Sequence, residues 1–160
     1  MRVTLSCIGK MKSGADKDLF DRYLDRARKS GRSLGVTDIS LREMPESRAQ
    51  RPEDRKSEEA ANILQSLSAG ARLVVLDENG KNLSSPAFSD RLEAWKNEGV
   101  PEIAFAIGGA DGHGQDVLAR ADLKLALGNM TWPHQIARIL LAEQIYRAMT
   151  IQSGHPYHRV

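Results

Sequence analysis

Four glycines fall within seven positions at Gly108, Gly109, Gly112 and Gly114, a density that lets backbone approach a ligand closely and permits positive φ. The spacing is not G-x-G-x-x-G, and the cluster follows the fourth expected strand, so a dinucleotide fingerprint is absent. A second segment, Asp77-Glu78-Asn79-Gly80-Lys81, offers carboxylates and a glycine after another apolar run. A third, from Leu127 to His134, is apolar apart from small polar residues. It could hold a purine by backbone hydrogen bonds in an apolar slot, or Leu127, Met130 and Trp132 could pack in the core. His113 and His134 have no nucleophile beside them in sequence and read as surface residues. His155 and His158 lack the cysteines or carboxylates of a metal site, so no metal is expected. Cys7, on an apolar run, reads as core.

These three segments need elements to position them. Apolar runs predict strands at 3–8, 37–44, 73–76, 103–107 and 123–127. Helical spacing fills the gaps at 16–29, 52–68, 86–97, 115–120 and 133–150. Ser85 before Pro86, and Thr131 before Trp132-Pro133, are expected to start the third and last helices. Alternating strands and helices predict one α/β domain over 1–160, a mostly parallel sheet covered on both faces. In such a sheet, ligands collect beyond the carboxyl ends of the strands. The three segments all follow strands, so they should open into one cleft.

The last helix is unusual. Ile136, Ile139, Leu140 and Tyr146 share one arc, and Ala137, Leu141, Ile145 and Ala148 cover another. Such a helix is either central or buried against a second copy of the chain. Glu143 and Arg147, spaced i, i+4 within the first arc, must pair with each other or with a ligand.

The chain's 160 residues suffice for one sizeable core. An apolar fraction of 41% and a charged fraction of 28% suit a soluble domain. No apolar run approaches the roughly 18 residues of a membrane span, and the start enters a strand pattern without a signal-peptide region. With one cysteine there is no internal disulfide, and a cytoplasmic protein is expected. Aromatics at 5% argue against a base-stacking platform. The net charge of +2 is too small to demand nucleic acid, but Arg42, Arg48, Arg51, Arg55 and Lys56 lie close together. They either meet phosphate or form a solvated face balanced by Glu46, Glu53 and Asp54.

Taken in order, Cys7-Ile8-Gly9-Lys10, Leu76-Asp77-Glu78-Asn79-Gly80-Lys81, Phe105-Ala106-Ile107-Gly108-Gly109-Ala110-Asp111-Gly112, Met130-Thr131-Trp132-Pro133-His134-Gln135, Glu143-Gln144-Ile145-Tyr146-Arg147-Ala148 and Pro156-Tyr157-His158-Arg159 carry a pattern across the whole chain. The chain resembles the ribosomal RNA large-subunit methyltransferase H family of short SPOUT enzymes. That resemblance implies an α/β fold with a C-terminal trefoil knot, an exception to the rule against threaded chains. It implies a homodimer joined through the knotted region. It also implies S-adenosyl-L-methionine as donor and methylation of N3 of a pseudouridine in large-subunit ribosomal RNA on the assembled ribosome. The family's cofactor contacts fall on Leu76, Gly108, Leu127, Gly128, Asn129, Met130, Thr131 and Trp132. Many relatives carry Ser-x-Ala/Lys-Met/Leu-Thr where this chain has Leu127-Gly128-Asn129-Met130-Thr131, so a hydroxyl is lost and backbone contacts must suffice. The tail residues Tyr157, His158 and Arg159 are the expected catalytic group, reaching the other subunit's cleft with His158 as proton acceptor and Arg159 as anion contact. The rival implied by the same fold is a ribosome-binding factor without chemistry.

Overall fold

Five apolar runs become five strands, and in the computed structural model, which describes residues 1–159, every strand pairing is parallel. β1 (Arg2–Ile8), β2 (Asp38–Met44), β3 (Arg72–Asn82), β4 (Glu102–Ile107) and β5 (Leu123–Ala126) form one sheet in the order β2-β1-β4-β3-β5. The helices are α1 (Ala15–Gly31), α2 (Pro52–Gln65), α3 (Ser85–Asn97), α4 (Gln115–Arg120) and α5 (His134–Ser153), with a 3-10 turn at Arg32–Leu34.

The period of two along each strand sorts the core into two layers. Val74, Ile103, Phe105 and Ile107 bury into a cluster with Phe20 and Leu24 of α1, Phe88 and Trp95 of α3, and Leu141, Ile145 and Met149 of α5. Their neighbours Leu73, Val75, Ala104 and Ala106 face the opposite layer, with Ala60 and Ile63 of α2 and Val117 of α4. Each large apolar side chain fully withdrawn from water contributes about 1.5–3 kcal/mol, which sets which face each strand presents.

Where boundaries differ from the sequence reading, a hydrogen bond or a glycine explains it. β3 does not stop at Leu76: residues 77–80 bulge out and Lys81 and Asn82 rejoin β5 beside Leu125 and Ala126. Gly80 makes this possible, because a Cβ there would lie 2.7 Å from the backbone of Lys124. α2 ends at Gln65 rather than Ser68. The Ser66 hydroxyl donates to the Ile63 carbonyl at 2.7 Å, and the Ser68 N–H goes to Glu102 at 3.2 Å. The hydroxyl that caps α3 belongs to Ser84, not Ser85, accepting from Ala87 N at 3.2 Å. α5 starts at His134 with no side-chain cap, because Thr131 donates its hydroxyl to Glu78 at 2.9 Å instead.

α5 is the central helix of its layer, packed against both α1 and α3, which accounts for most of its apolar circumference. Ile136, Leu140 and Ile151 stay half-buried. Its first turns are anchored to the sheet by buried Arg138, which donates to the carbonyls of Ile8 and Gly9 at 2.9 Å each and to Glu43 at 3.0 Å.

Candidate functional site

The carboxyl ends of β3, β4 and β5 surround a cleft of about 490 Å³, within the usual size range of small-molecule sites. Of the residues expected to hold a cofactor, Leu76, Gly108, Leu127, Gly128, Met130, Thr131 and Trp132 line it. Asn129 does not; its side-chain oxygen accepts from Asn82 Nδ2 at 2.7 Å. Asp77, Glu78, His113 and His134 join the lining. The alternative of core packing for the third segment fails, because Met130 and Trp132 are 75% and 41% exposed. They offer apolar surface to an occupant instead.

Side chains fix the loop after β5 to the end of β3. Asn82 Oδ1 accepts from Gly128 N at 3.0 Å, Thr131 reaches Glu78, and Trp132 Nε1 donates to the Leu127 carbonyl at 2.8 Å. Gly128 sits at φ +98°, a conformation costly for any residue with a Cβ.

The glycine loop rests on α2. Gly112, at φ +85°, donates to the Gly109 carbonyl at 3.1 Å and closes a tight turn. A Cβ on Gly109 would come within 3.0 Å of Glu59 Oε2, and one on Gly114 within 2.7 Å of the Lys56 carbonyl. Between these contacts Arg55 grips Asp111 in a two-point pair, Nε to Oδ2 at 2.6 Å and Nη2 to Oδ1 at 3.0 Å. The hydrogen bond from Arg55 holds the Asp111 carboxyl below its ordinary range. Arg55 also donates to the carbonyls of Ala49 and Gln50. Arg55, one of the basic residues that could have met phosphate, is instead spent inside the chain. The partner was not visible in sequence, because 56 residues separate the two. Asp111→Asn should loosen the loop, raising the dissociation constant of a cleft ligand about fivefold to tenfold. Stability should fall only slightly, because solvent screens an ion pair this accessible. Calorimetric titration and a melting curve on the variant check both.

His113, expected at the surface, is half-buried, and its Nε2 makes no well-formed hydrogen bond. Burial holds the imidazole below its ordinary value, with Asp77 and the carbonyl groups of Leu76 and Ala106 opposing. The sign follows from linkage: the unfolded chain takes up a proton at about pH 6.5, the folded chain only lower. Stability is therefore present above about pH 6.5 and is lost as pH falls through the folded value. Melting temperature should drop between pH 7 and 5.5, and His113→Asn should make that slope shallower. Equal slopes in the two proteins would contradict this assignment.

The tail lies elsewhere. Tyr157 donates its hydroxyl to Glu143 Oε1 at 3.0 Å, and its ring packs 4.6 Å from that of Tyr146. Arg147 pairs with Glu143 through Nε at 3.0 Å and meets His158 Nδ1 at 3.3 Å. Glu143 and Arg147 thus pair with each other and also seat the tail. Burial, then the hydrogen bond to Glu143, pushes the Tyr157 phenol well up from its ordinary value. His158 Nε2 is buried without a partner, and Arg159 is exposed. None of Tyr157, His158 and Arg159 is among the residues lining the cleft of the same chain.

Cys7 is fully buried and its thiol is pushed up to about 12 by that burial, so it offers no thiolate nucleophile at neutral pH. Among the described residues no group of three or more His, Cys, Asp or Glu is placed to hold a metal ion. No helix among them is long and apolar enough to cross a membrane.

A family model described as "Predicted SPOUT methyltransferase" matches residues 1–158. Proteins named ribosomal RNA large subunit methyltransferase H are similar over the full length. That of Brucella anthropi is 53% identical over 159 residues, covering 99% of each chain. That of Xanthobacter autotrophicus is 52% identical over 159 residues, again 99% of each, and that of Rhizobium etli is 52% identical over 160 residues, covering all of both.

Proposed function

The chain belongs to the SPOUT methyltransferase family, and from that premise we propose that it methylates N3 of a pseudouridine in large-subunit ribosomal RNA, on the assembled ribosome, as a homodimer using S-adenosyl-L-methionine. The observation that carries this reading is the cleft itself, in which loops after three parallel strands bring together seven of the eight expected cofactor contacts.

The residues present suit that cofactor on their own chemistry. Asp77 and Glu78 place carboxylates in a cleft meant for a cationic sulfonium and ribose hydroxyls, while Leu127, Met130 and Trp132 provide apolar surface for a purine. Bound there, the cofactor supplies an electrophilic methyl group. The chain's own task is to hold the target base in line at roughly 3–3.5 Å, and to remove the N3 proton or favour the imide anion.

The tail is the proposed source of that help, and its position supports a donor in trans. It sits on its own α5 and not in its own cleft, so a tail that serves a cleft serves the one in a second copy. His158 is the proposed proton acceptor, imidazole being the side chain that exchanges a proton near neutral pH. Tyr157, kept protonated, seats the tail, and exposed Arg159 meets an anionic group of the substrate.

The dimer reading draws on a second groove of about 260 Å³ that shares Leu127, Gly128 and Trp132 with the cleft and is walled by Leu83, Phe88 and Leu140. A copy seated there would bring the two clefts and tails together. The knot belongs to the same reading: the loop after β5, stitched to the end of β3 by Asn82, is where the threaded crossing would lie. The whole of 1–160 then acts as one domain in the cytoplasm.

Titrating the protein with S-adenosylmethionine in a calorimeter tests the cofactor assignment. Saturable binding is expected, and one site per dimer would mean that the two clefts are unequal. No heat, with an unchanged melting temperature, would return the chain to a non-catalytic ribosome-binding factor.

A further inference from the structure

The basic cluster singled out in the sequence resolves, in three dimensions, into cations held by the chain and cations left free. Arg55 is spent on Asp111, and Arg42 donates to the Ser66 carbonyl at 2.6 Å. Arg51 pairs with Asp54, three residues on. Among the described residues Arg48 and Lys56 make no ion pair.

Two more free cations join them from a distant part of the chain. The loop after β1 is anchored at both ends of its first half. Gly9 N donates to the Met44 carbonyl at 2.7 Å, and Met11, buried, donates its N–H to Glu43 at 2.6 Å. With Met11 held inward, Lys10 and Lys12 on either side of it are turned out, and both are exposed.

The loops after β1 and β2 lie side by side, since β1 and β2 are paired neighbours and Gly9 abuts Glu46. The loop after β2 is held to α2 through Ser47 N and Glu59 at 3.0 Å. Lys56 stands where α2 touches Gly114 of the glycine loop. Lys10, Lys12, Arg48 and Lys56 therefore form a strip along the β2-β1 half of the sheet's carboxyl edge, continuous with the rim of the cleft on the β4-β3-β5 half. Of the nearby acids, Glu43 is paired with Arg138 and Asp54 with Arg51, while Glu58 and Glu59 accept hydrogen bonds from Ser47 and keep their charge. Glu46 and Glu53 remain exposed within it.

We propose that this strip is the RNA-contact surface of the protein, binding the phosphates of nucleotides that flank the base presented to the cleft. The inference rests on the reading of an RNA substrate given above. Phosphate contact fits the residue types, since point charges on flexible stems neutralise backbone phosphate without reading sequence. A strip beside the cleft, rather than an aromatic platform, suits a chain in which aromatics are only 5%.

The test is a salt titration of binding to large ribosomal subunits by the full-length protein and by a triple variant, Lys10→Gln, Lys12→Gln and Arg48→Gln. Each lost phosphate contact should lower the slope of log affinity against log salt by about one, so the variant should be shallower by up to three. Its affinity near 0.1 M salt should be about tenfold or more weaker, with unchanged melting temperature and unchanged cofactor affinity. A companion variant keeping the charges, Lys10→Arg, Lys12→Arg and Arg48→Lys, should retain most of the slope. If wild type methylates the particle and the triple variant binds with the same slope, the strip is wrong and the enzymatic reading stands. If wild type binds through a strip-dependent slope but transfers no methyl group, the strip stands and the enzymatic reading fails. No binding by wild type overturns both.

Discussion

Removing residues 156–160 is expected to abolish methyl transfer while leaving cofactor binding within about twofold. Tyr157, His158 and Arg159 touch none of the cleft of their own chain, so their loss should not disturb its lining. A positioned proton acceptor contributes about 10²–10⁴-fold to rate, so turnover should fall by at least ~100-fold at saturating cofactor. Glu143 and Arg147 keep each other, but the packed Tyr157 ring and its hydrogen bond are lost, so stability should fall by about 1–3 kcal/mol. A mixed dimer separates cis from trans action. One copy lacking the tail is combined with one whose cleft is disabled by Gly114→Ala. A tail acting in trans restores a single working site; a tail acting in cis restores none. Full activity of the truncated chain would remove the tail from the mechanism.

Gly114→Ala itself carries the second large effect. The added Cβ would sit 2.7 Å from the Lys56 carbonyl, below any normal contact distance, and 3.0 Å from Ala60 Cβ, tighter than most such contacts. Both are fixed parts of α2, unlike a flexible side-chain tip. Overpacking of this kind costs about 1–3 kcal/mol, a fall in melting temperature of about 2–12 °C for a domain of this size. The lighter way to relieve the clash is to lift the glycine loop from α2, which pulls Asp111 from Arg55 and displaces Gly108. Cofactor affinity should therefore fall by at least ~tenfold, measured in the calorimeter at a temperature where the variant is folded. Unaltered affinity would mean that the seat of the glycine loop on α2 does not govern ligand binding in the cleft.

The parallel sheet and its cleft were legible because they rest on short-range signals. Apolar runs mark the strands, and glycine density marks Gly108 to Gly114. All strands of a parallel sheet end on the same edge, so the convergence of the three loops followed from topology. The contacts between remote residues were not legible. Nothing in the sequence ties Arg55 to Asp111, or Arg138 to Glu43 and the end of β1, because each partner has several equally polar neighbours. The return of β3 to the ladder at Lys81 was missed because a bulge looks like a loop until the approach of Gly80 to Lys124 is seen. Asn129 was assigned from resemblance alone, and its side chain turns to Asn82 instead of the cleft. The sequence left α5 as either central or shared with a second copy; its packing between α1 and α3 supports the first without touching the second.

The central claim is best tested by transfer of labelled methyl from S-adenosylmethionine to ribosomes that lack the modification, with the product nucleotide identified by mass spectrometry. One methyl group per particle is expected, on N3 of a pseudouridine in large-subunit RNA. Transfer to naked RNA, which lacks the folded surface to be docked on, should be far weaker. No incorporation by a protein that binds the cofactor, or methyl placed on another nucleotide, would contradict it.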